Sequence, residues 1–109
     1  MQELIKARDL LAKGFCKDNL ACDAEGKAIG YEDPKAAQFC ILGAMLIASD
    51  DNVNYDKVVP LLASQLPQPW VEMHPNWQMS ALIAFNNHWE TTQADIVALF
   101  DRAIEKAAA

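Results

Sequence analysis

The chain has 109 residues, of which 52% are hydrophobic and 22% charged, and its formal net charge at pH 7 is −6. This length suits one domain, residues 1–109, with a core that needs no disulfide or metal to be stable. The apolar content excludes a disordered chain. The negative charge is unfavourable for nonspecific binding to phosphate backbones, so we expect no direct contact with nucleic acid.

The three cysteines, Cys16, Cys22 and Cys40, form no Cys-x-x-Cys pair. An odd number without paired spacing is typical of reduced thiols in the cytoplasm rather than of a disulfide framework. The N-terminal segment MQELIKARDLLAK alternates charges and lacks the apolar run of a signal peptide. We therefore expect a cytoplasmic protein, in a bacterial cell or an infected host cell.

The first 31 residues predict a helix followed by a β-hairpin. Apolar residues recur at helical spacing over 2–13, and Gly14 suits the left-handed position that follows a helix. Asp23 and Gly26 suit a turn between two short apolar segments. We expect one short two-stranded hairpin near residues 19–31, packed against helices because an isolated hairpin is marginally stable.

The most apolar segment, AAQFCILGAMLIA, covers residues 36–48. Asp33 as N-cap and Pro34 as the first helical residue predict a helix over 34–48. Because this helix is apolar on all sides, we place it at the centre of a bundle. It is shorter than the about 20 apolar residues that cross a membrane, so no membrane insertion is expected. Gly43 costs about 1 kcal/mol relative to alanine within a helix, so we expect another helix to approach it closely.

Two further helices with an ordered loop between them are expected next. The first covers 55–66, and the three prolines of 67–76 predict the loop. The second covers 77–86 and has Trp77 on its buried side. Asn86-Asn87 is predicted to end it, since asparagine tolerates the left-handed conformation.

The last helix has the clearest amphipathic pattern in the chain. Thr92 and Asp95 form a capping box at its start, and apolar residues follow at helical spacing from Ile96. The predicted fold is therefore mostly α, with about five helices packed around the central helix.

Four short motifs give the chain a resemblance to a known family. They are Gly14-Phe15-Cys16, Phe39-Cys40-Ile41-Leu42-Gly43-Ala44, Asn86-Asn87 and Thr92-Gln93-Ala94-Asp95-Ile96. The chain resembles small bacterial and phage-encoded proteins classed as a domain of unknown function. It has phenylalanine where tryptophan is expected before each cysteine, and Asn87 where aspartate is expected. The resemblance implies a fold and a bacterial or phage origin, and it implies no activity.

The residue types that most favour binding are aromatic and imidazole side chains between positions 70 and 89. They are Trp70, His74, Trp77, His88 and Trp89. Tryptophan is enriched in interface hot spots, although each of the three could instead fill the end of the bundle. Trp89 is expected to be the most exposed of them because it lies in the linker between two helices.

The charge pattern adds acidic residues to this set of candidates. No lysine or arginine occurs between Lys57 and Arg102. The acidic candidates are Asp50, Asp51, Asp56 and Glu90. If the loops at 50–56 and 86–91 meet at one end of the bundle, that end is acidic and aromatic.

Several chemistries find no support in the sequence. The chain has neither the Cys-x-x-Cys nor the His-x-x-x-His spacing that is typical of zinc sites. The first half of a calcium loop is resembled by Asp50, Asn52, Asn54 and Asp56. Tyr55 and Leu61, however, stand where that loop requires glycine and glutamate. No glycine-rich phosphate loop or nucleophile motif is present. We therefore predict no catalytic residues, metal or cofactor.

The sequence favours a noncatalytic, acidic protein-interaction module that binds another protein with a basic surface. One concrete version is a phage-encoded inhibitor that occupies the nucleic-acid site of a host defence protein. The alternative is a small cytoplasmic enzyme or ligand-binding domain with a pocket near His74 and His88. The oligomeric state is left open.

Overall fold

The computed structural model describes residues 2–72 and 75–109, and within them five α-helices and one small sheet. The helices are α1 (Gln2–Lys13), α2 (Ile41–Ala48), α3 (Val58–Ala63), α4 (Gln78–Asn87) and α5 (Gln93–Ala108). The strands are β1 (Ala21–Cys22), β2 (Ala28–Ile29) and β3 (Gln38–Phe39). The predicted mostly α class with a short hairpin is confirmed. Among the described helices, none has the length and apolarity needed to cross a membrane.

Helices α1 and α5 behave as their amphipathic patterns predict. Leu4, Ala7 and Leu11 of α1 are buried, and α1 packs between α2 and α5. The capping box at the start of α5 is confirmed, with the Thr92 hydroxyl accepting from the backbone N–H of Asp95. These two long helices form one side of the core.

The predicted hairpin is confirmed and gains a third strand. Ala21 of β1 pairs with Ile29 of β2 on one side and with Phe39 of β3 on the other, both antiparallel. The sheet order is therefore β2-β1-β3. The Asp23 carboxylate accepts from two backbone N–H groups of the hairpin turn, and Gly26 has a φ of 86°.

The central helix begins at Ile41, not at residue 34, so its predicted start was wrong. The Asp33 carboxylate accepts from the backbone N–H of Lys35 and forms a turn instead of a helix cap. Residues 38–39 then form β3 and pair with β1. Their backbone groups are therefore hydrogen-bonded in the sheet and not in a first helical turn. Cys40 becomes the N-cap of α2, and its Sγ accepts from the backbone N–H of Gly43 at 3.3 Å.

Two glycines admit close backbone approaches, of which the sequence predicted the one at Gly43 but not the segment that makes it. A Cβ atom on Gly43 would lie 2.0 Å from the carbonyl oxygen of Leu20, so the close neighbour is the chain leading into β1 and not another helix. A Cβ on Gly14 would lie 2.0 Å from the oxygen of Ala37. Gly14 is not in the left-handed region, as Gly26 is the glycine with positive φ among the described residues.

Helix α3 is shorter than predicted because a turn precedes it. The side chain of Asn54 accepts from the backbone N–H groups of Asp56 and Lys57, and the helix begins at Val58. In its described residues, the loop predicted before α4 contains two short 3-10 helices, Trp70–Glu72 and Pro75–Trp77.

Candidate functional site

A buried asparagine at the end of α4 joins three distant parts of the chain. Asn86 is 1% exposed, and its Oδ1 accepts from the backbone N–H of Ile41 at 2.9 Å. Its Nδ2 donates to the carbonyl of Cys16 at 3.3 Å and to Oδ1 of Asn87 at 2.9 Å. The predicted helix end at Asn86-Asn87 is confirmed, since α4 ends at Asn87. The left-handed conformation expected there was wrong, because neither asparagine has a positive φ.

Asn87 extends this network to the surface. Its Oδ1 accepts from the backbone N–H of Asp18 at 2.9 Å, and Asp18 has a φ of 67°. Beside this bond opens a cavity of about 170 Å³, here called the apolar socket. The socket is lined by Asp18, Asn19, Leu20, Cys40, Ile41, Leu42, Ile83, Asn86 and Asn87. Sequence reasoning missed it, although three of the four motif segments contribute to its walls or to the Asn86 network.

The linker after α4 forms a hydrogen-bonded corner, residues 88–91, here called the Trp89 corner. Lys17 Nζ donates to the carbonyl of His88 at 2.6 Å and reaches the carbonyl of Trp89 at 3.5 Å. The backbone N–H of Thr91 donates to the His88 carbonyl at 3.0 Å, and Thr91 is buried. The indole of Trp89 is 81% exposed, the most exposed of the three tryptophans, as its linker position predicted. The corner thus holds a large aromatic side chain in solvent on a fixed backbone.

One side of the corner faces an open cleft of about 400 Å³, here called the His88 cleft. It is lined by Pro67, Trp70, Phe85, His88, Glu90, Thr91, Asp95, Ala98 and Arg102. The Trp70 ring meets the rings of Phe85 and His88 edge-on, with centroids 5.4 and 5.1 Å apart. The cleft is therefore an aromatic pocket with charged residues at its mouth.

Three polar side chains of the cleft have structural partners. The Asp95 carboxylate accepts from the backbone N–H of Thr92 in the capping box. Arg102 donates to the carbonyl of Gln65 at 2.8 Å. Nδ1 of His88 accepts from the backbone N–H of Glu90 at 3.3 Å.

The structure brings together four of the predicted site residues: Trp70, His88, Trp89 and Glu90. His74 lies outside the described residues. Trp77 is 60% exposed at the start of α4, so its predicted position on the buried side was wrong.

The acidic loop at 50–56 lies at the other end of α1 and does not join the Trp89 corner. Asn52 to Asp56 border a cavity together with Glu3 at the start of α1, whereas Lys17, beyond its end, binds the corner. A helix of this length spans about 18 Å. The tertiary structure also brings Lys17 and Arg102 to the 86–91 loop, so that loop is not the purely acidic one its sequence neighbours suggest.

Within the acidic loop, two residues have left-handed backbone conformations, Asp50 with a φ of 51° and Asp51 with a φ of 64°. The Tyr31 hydroxyl donates to the Asp51 carboxylate at 2.7 Å. This hydrogen bond to a carboxylate raises the pKa of Tyr31 to about 12. Asp51 therefore holds the segment around Tyr31 through this hydrogen bond. Asp50, Asp51 and Asp56 are all exposed to solvent.

The three cysteines are free and buried, and none lines the His88 cleft. Burial raises the pKa of the Cys16 thiol to about 12, with a contribution from neighbouring Cys22. Burial also raises the pKa of Cys40, against the opposing effect of the N–H of Gly43. In the described part of the chain, no group of three or more His, Cys, Asp or Glu side chains is arranged to hold a metal ion.

Fold and sites together define a small α-helical domain with a buried amide network at one end and an exposed aromatic corner beside it. The chain belongs to the family of unknown function DUF6197, whose model matches residues 2–106. The resemblance stated from four motifs is thereby confirmed, and it extends across the middle of the chain that the motifs leave out. No match was found among curated proteins or among solved structures.

Proposed function

We propose that this protein is a noncatalytic protein-interaction module whose contact surface is centred on Trp89. The observation that carries the proposal is the 81% exposure of this indole on a corner fixed by hydrogen bonds. Exposing a large aromatic ring leaves unfavourable apolar surface in water, and a partner that covers it gains that free energy. Tryptophan is among the residues that most often dominate binding energy.

The hydrogen bonds that hold the corner strengthen the proposal. Lys17 binds the carbonyls of His88 and Trp89, and Thr91 closes the turn through its backbone N–H. A side chain presented on an ordered backbone loses less conformational entropy on binding than one on a mobile loop.

The partner we propose has a basic surface. The net charge of −6 attracts such a partner at long range and speeds association, and salt screens this attraction over about 8 Å at physiological ionic strength. A nucleic-acid-binding protein of a host is a basic partner of this kind, and in one version of the proposal a phage-encoded chain inhibits it. The proposal places the protein in the cytoplasm, where its three free thiols stay reduced.

A second candidate function is binding of a small molecule in the His88 cleft. Its volume of about 400 Å³ falls within the range of ligand pockets, and Trp70, Phe85 and His88 provide aromatic walls. A thermal-shift screen against aromatic metabolites tests this candidate. A ligand of the cleft raises the melting temperature of the wild type but not of Ala98→Leu, which narrows the cleft; Ala94→Leu, exposed on the same helix, is the matched control.

Photocrosslinking in cells tests the protein-interaction proposal. A photoreactive phenylalanine derivative replaces Trp89 in one version and Tyr55, 58% exposed near the start of α1, in another. We expect a light-dependent adduct with one protein from position 89 and none with that protein from position 55.

The purified partner then allows the affinity to be measured. Trp89→Ala should weaken binding by at least about tenfold, mainly by speeding dissociation, and Tyr55→Ala should not change it. Higher salt should slow association. Equal crosslinking from both positions, or an affinity that Trp89→Ala leaves unchanged, would place the interface elsewhere.

A further inference from the structure

We propose that the apolar socket receives one aliphatic side chain of the partner, next to a lysine or arginine that pairs with Asp18. This inference rests on the proposed function and specifies the chemistry of the partner. It assigns a role to the apolar socket, which was not among the aromatic and acidic binding candidates predicted from the sequence.

The size and walls of the socket fit a single apolar side chain. Its volume is about 170 Å³, and an apolar cavity of roughly 150 Å³ admits a benzene molecule. Leu20, Ile41, Leu42 and Ile83 form its apolar walls. A leucine or isoleucine side chain therefore fills the socket, whereas a larger ligand would extend beyond it.

The rim of the socket is exposed apolar surface. Leu20 is 38% exposed and Ile83 is 36% exposed. Among the described residues, five large hydrophobic side chains are exposed, and Leu20, Ile83 and Trp89 are three of them. Apolar surface that gathers around a concave site is typical of an interface.

Charge complementarity with Asp18 favours a basic residue in the partner, next to the inserted aliphatic side chain. Asp18 is the one charged residue that lines the socket among the residues the structure describes, and it is exposed. Its backbone is fixed by the hydrogen bond from its N–H to Asn87. The described structure shows no ion pair for its carboxylate. A basic group adjoining the inserted side chain would complete that pair.

The socket and the Trp89 corner are neighbours. Asp18 and Asn87 border the socket, while the adjacent residues Lys17 and His88 are joined by the 2.6 Å hydrogen bond at the corner. A partner can therefore insert one side chain into the socket and cover the Trp89 indole at the same time. Two neighbouring anchors also fix its orientation.

Selection from a library of random linear peptides on the immobilised protein tests the inference. This test requires neither the natural partner nor a contact with Trp89. We expect enriched peptides with an aliphatic residue adjoining lysine or arginine. Ile83→Arg should abolish that enrichment, whereas Ala84→Arg, exposed on the same helix and outside the socket, should preserve it. Asp18→Lys should shift the selected charge from basic to acidic.

A direct measurement on the wild type locates the site without a variant. In amide-resolved NMR, the peptide Ac-Lys-Leu-Lys-NH2 should shift the resonances of Leu20, Leu42, Ile83 and Asn87, and Ac-Lys-Ala-Lys-NH2 should shift them at least about tenfold more weakly at equal concentration. Shifts confined to other residues, or equal shifts from both peptides, would overturn the inference. A concentration-dependent dimer in sedimentation, lost in Ile83→Arg, would overturn it in favour of a second copy of the chain.

These outcomes separate the inference from the proposed function. Peptide selection that depends on Ile83 together with a failed crosslink at position 89 would reject the Trp89-centred interface alone. A crosslink at position 89 with no peptide preference would reject the socket alone.

Discussion

Oδ1 of Asn86 accepts the backbone N–H of Ile41 at 2.9 Å, and this hydrogen bond joins the end of α4 to the first residue of α2. The first N–H groups of a helix have no partner within the helix. Asn86 satisfies one of them from a different helix, and its Nδ2 binds the carbonyl of Cys16 as well. One buried side chain therefore holds three segments around the socket.

Asn86→Ala should destabilise the protein by about 2–4 kcal/mol, because the backbone groups of Ile41 and Cys16 are left buried without a partner. Chemical denaturation measures the change. Asn87→Ala is the control: its side chain is half-buried and bonds the exposed segment at Asp18, so its cost should be smaller. An equal loss of unfolding free energy in both variants would show that the burial of Asn86 does not determine its contribution to stability.

Gly43→Ala should destabilise the protein by at least about 2 kcal/mol although alanine favours helices, because overpacking forces backbone shifts. The added Cβ would lie 2.0 Å from the carbonyl oxygen of Leu20, which is backbone and cannot rotate away. Gly30→Ala is the matched control, as nothing lies within 4 Å of its Cβ position. A melting temperature unchanged by Gly43→Ala would exclude the close approach.

The stability of the protein should fall as the pH rises from about 9 towards 12. The pKa of Cys16 is raised from 9.0 to about 12 in the folded protein, so the unfolded chain loses this proton first and the folded state binds more protons. Urea denaturation at pH 7.5, 9 and 10.5 should show this decrease, and Cys16→Ala should reduce its slope.

Tyr31 titrates in the same direction, because its pKa is raised from 10.0 to about 12 by the hydrogen bond to Asp51. Tyr31→Phe therefore separates the two contributions, and the double variant with Cys16→Ala should lose both. A pH slope that is identical in the wild type and in both single variants would contradict the assignment.

Lys17→Met should loosen the Trp89 corner while changing stability by no more than about 1 kcal/mol, since the lost hydrogen bonds are partly exposed. Nitrogen relaxation should show lower order parameters for the amides of Trp89 and Glu90. Lys13→Met, exposed on α1, is the control and should leave them unchanged. An equally rigid corner without Lys17 would mean that the turn through Thr91 suffices.

The sequence by itself determined the elements whose signals are local. The apolar spacing of α1 and α5, the capping box at Thr92 and the turn at Asp23 to Gly26 each depend on residues a few positions apart, and each is confirmed. The exposure of Trp89 followed in the same way from its place in a short linker. Local geometry is sufficient in these cases because the interacting groups are neighbours along the chain.

Only the tertiary structure decided which distant groups meet. Residues 34–40 have a helix-start signal, yet pairing of Phe39 with Ala21 makes them turn and strand. Asn86 and Asn87 suit a helix end, but what they bond lies 45 to 70 residues away. The carbonyls of His88 and Trp89 acquire Lys17 as a hydrogen-bond donor from 71 and 72 residues away. The physical reason is that backbone pairing, burial of an amide and ion contacts depend on distance in space, which the spacing of residues along the chain does not specify.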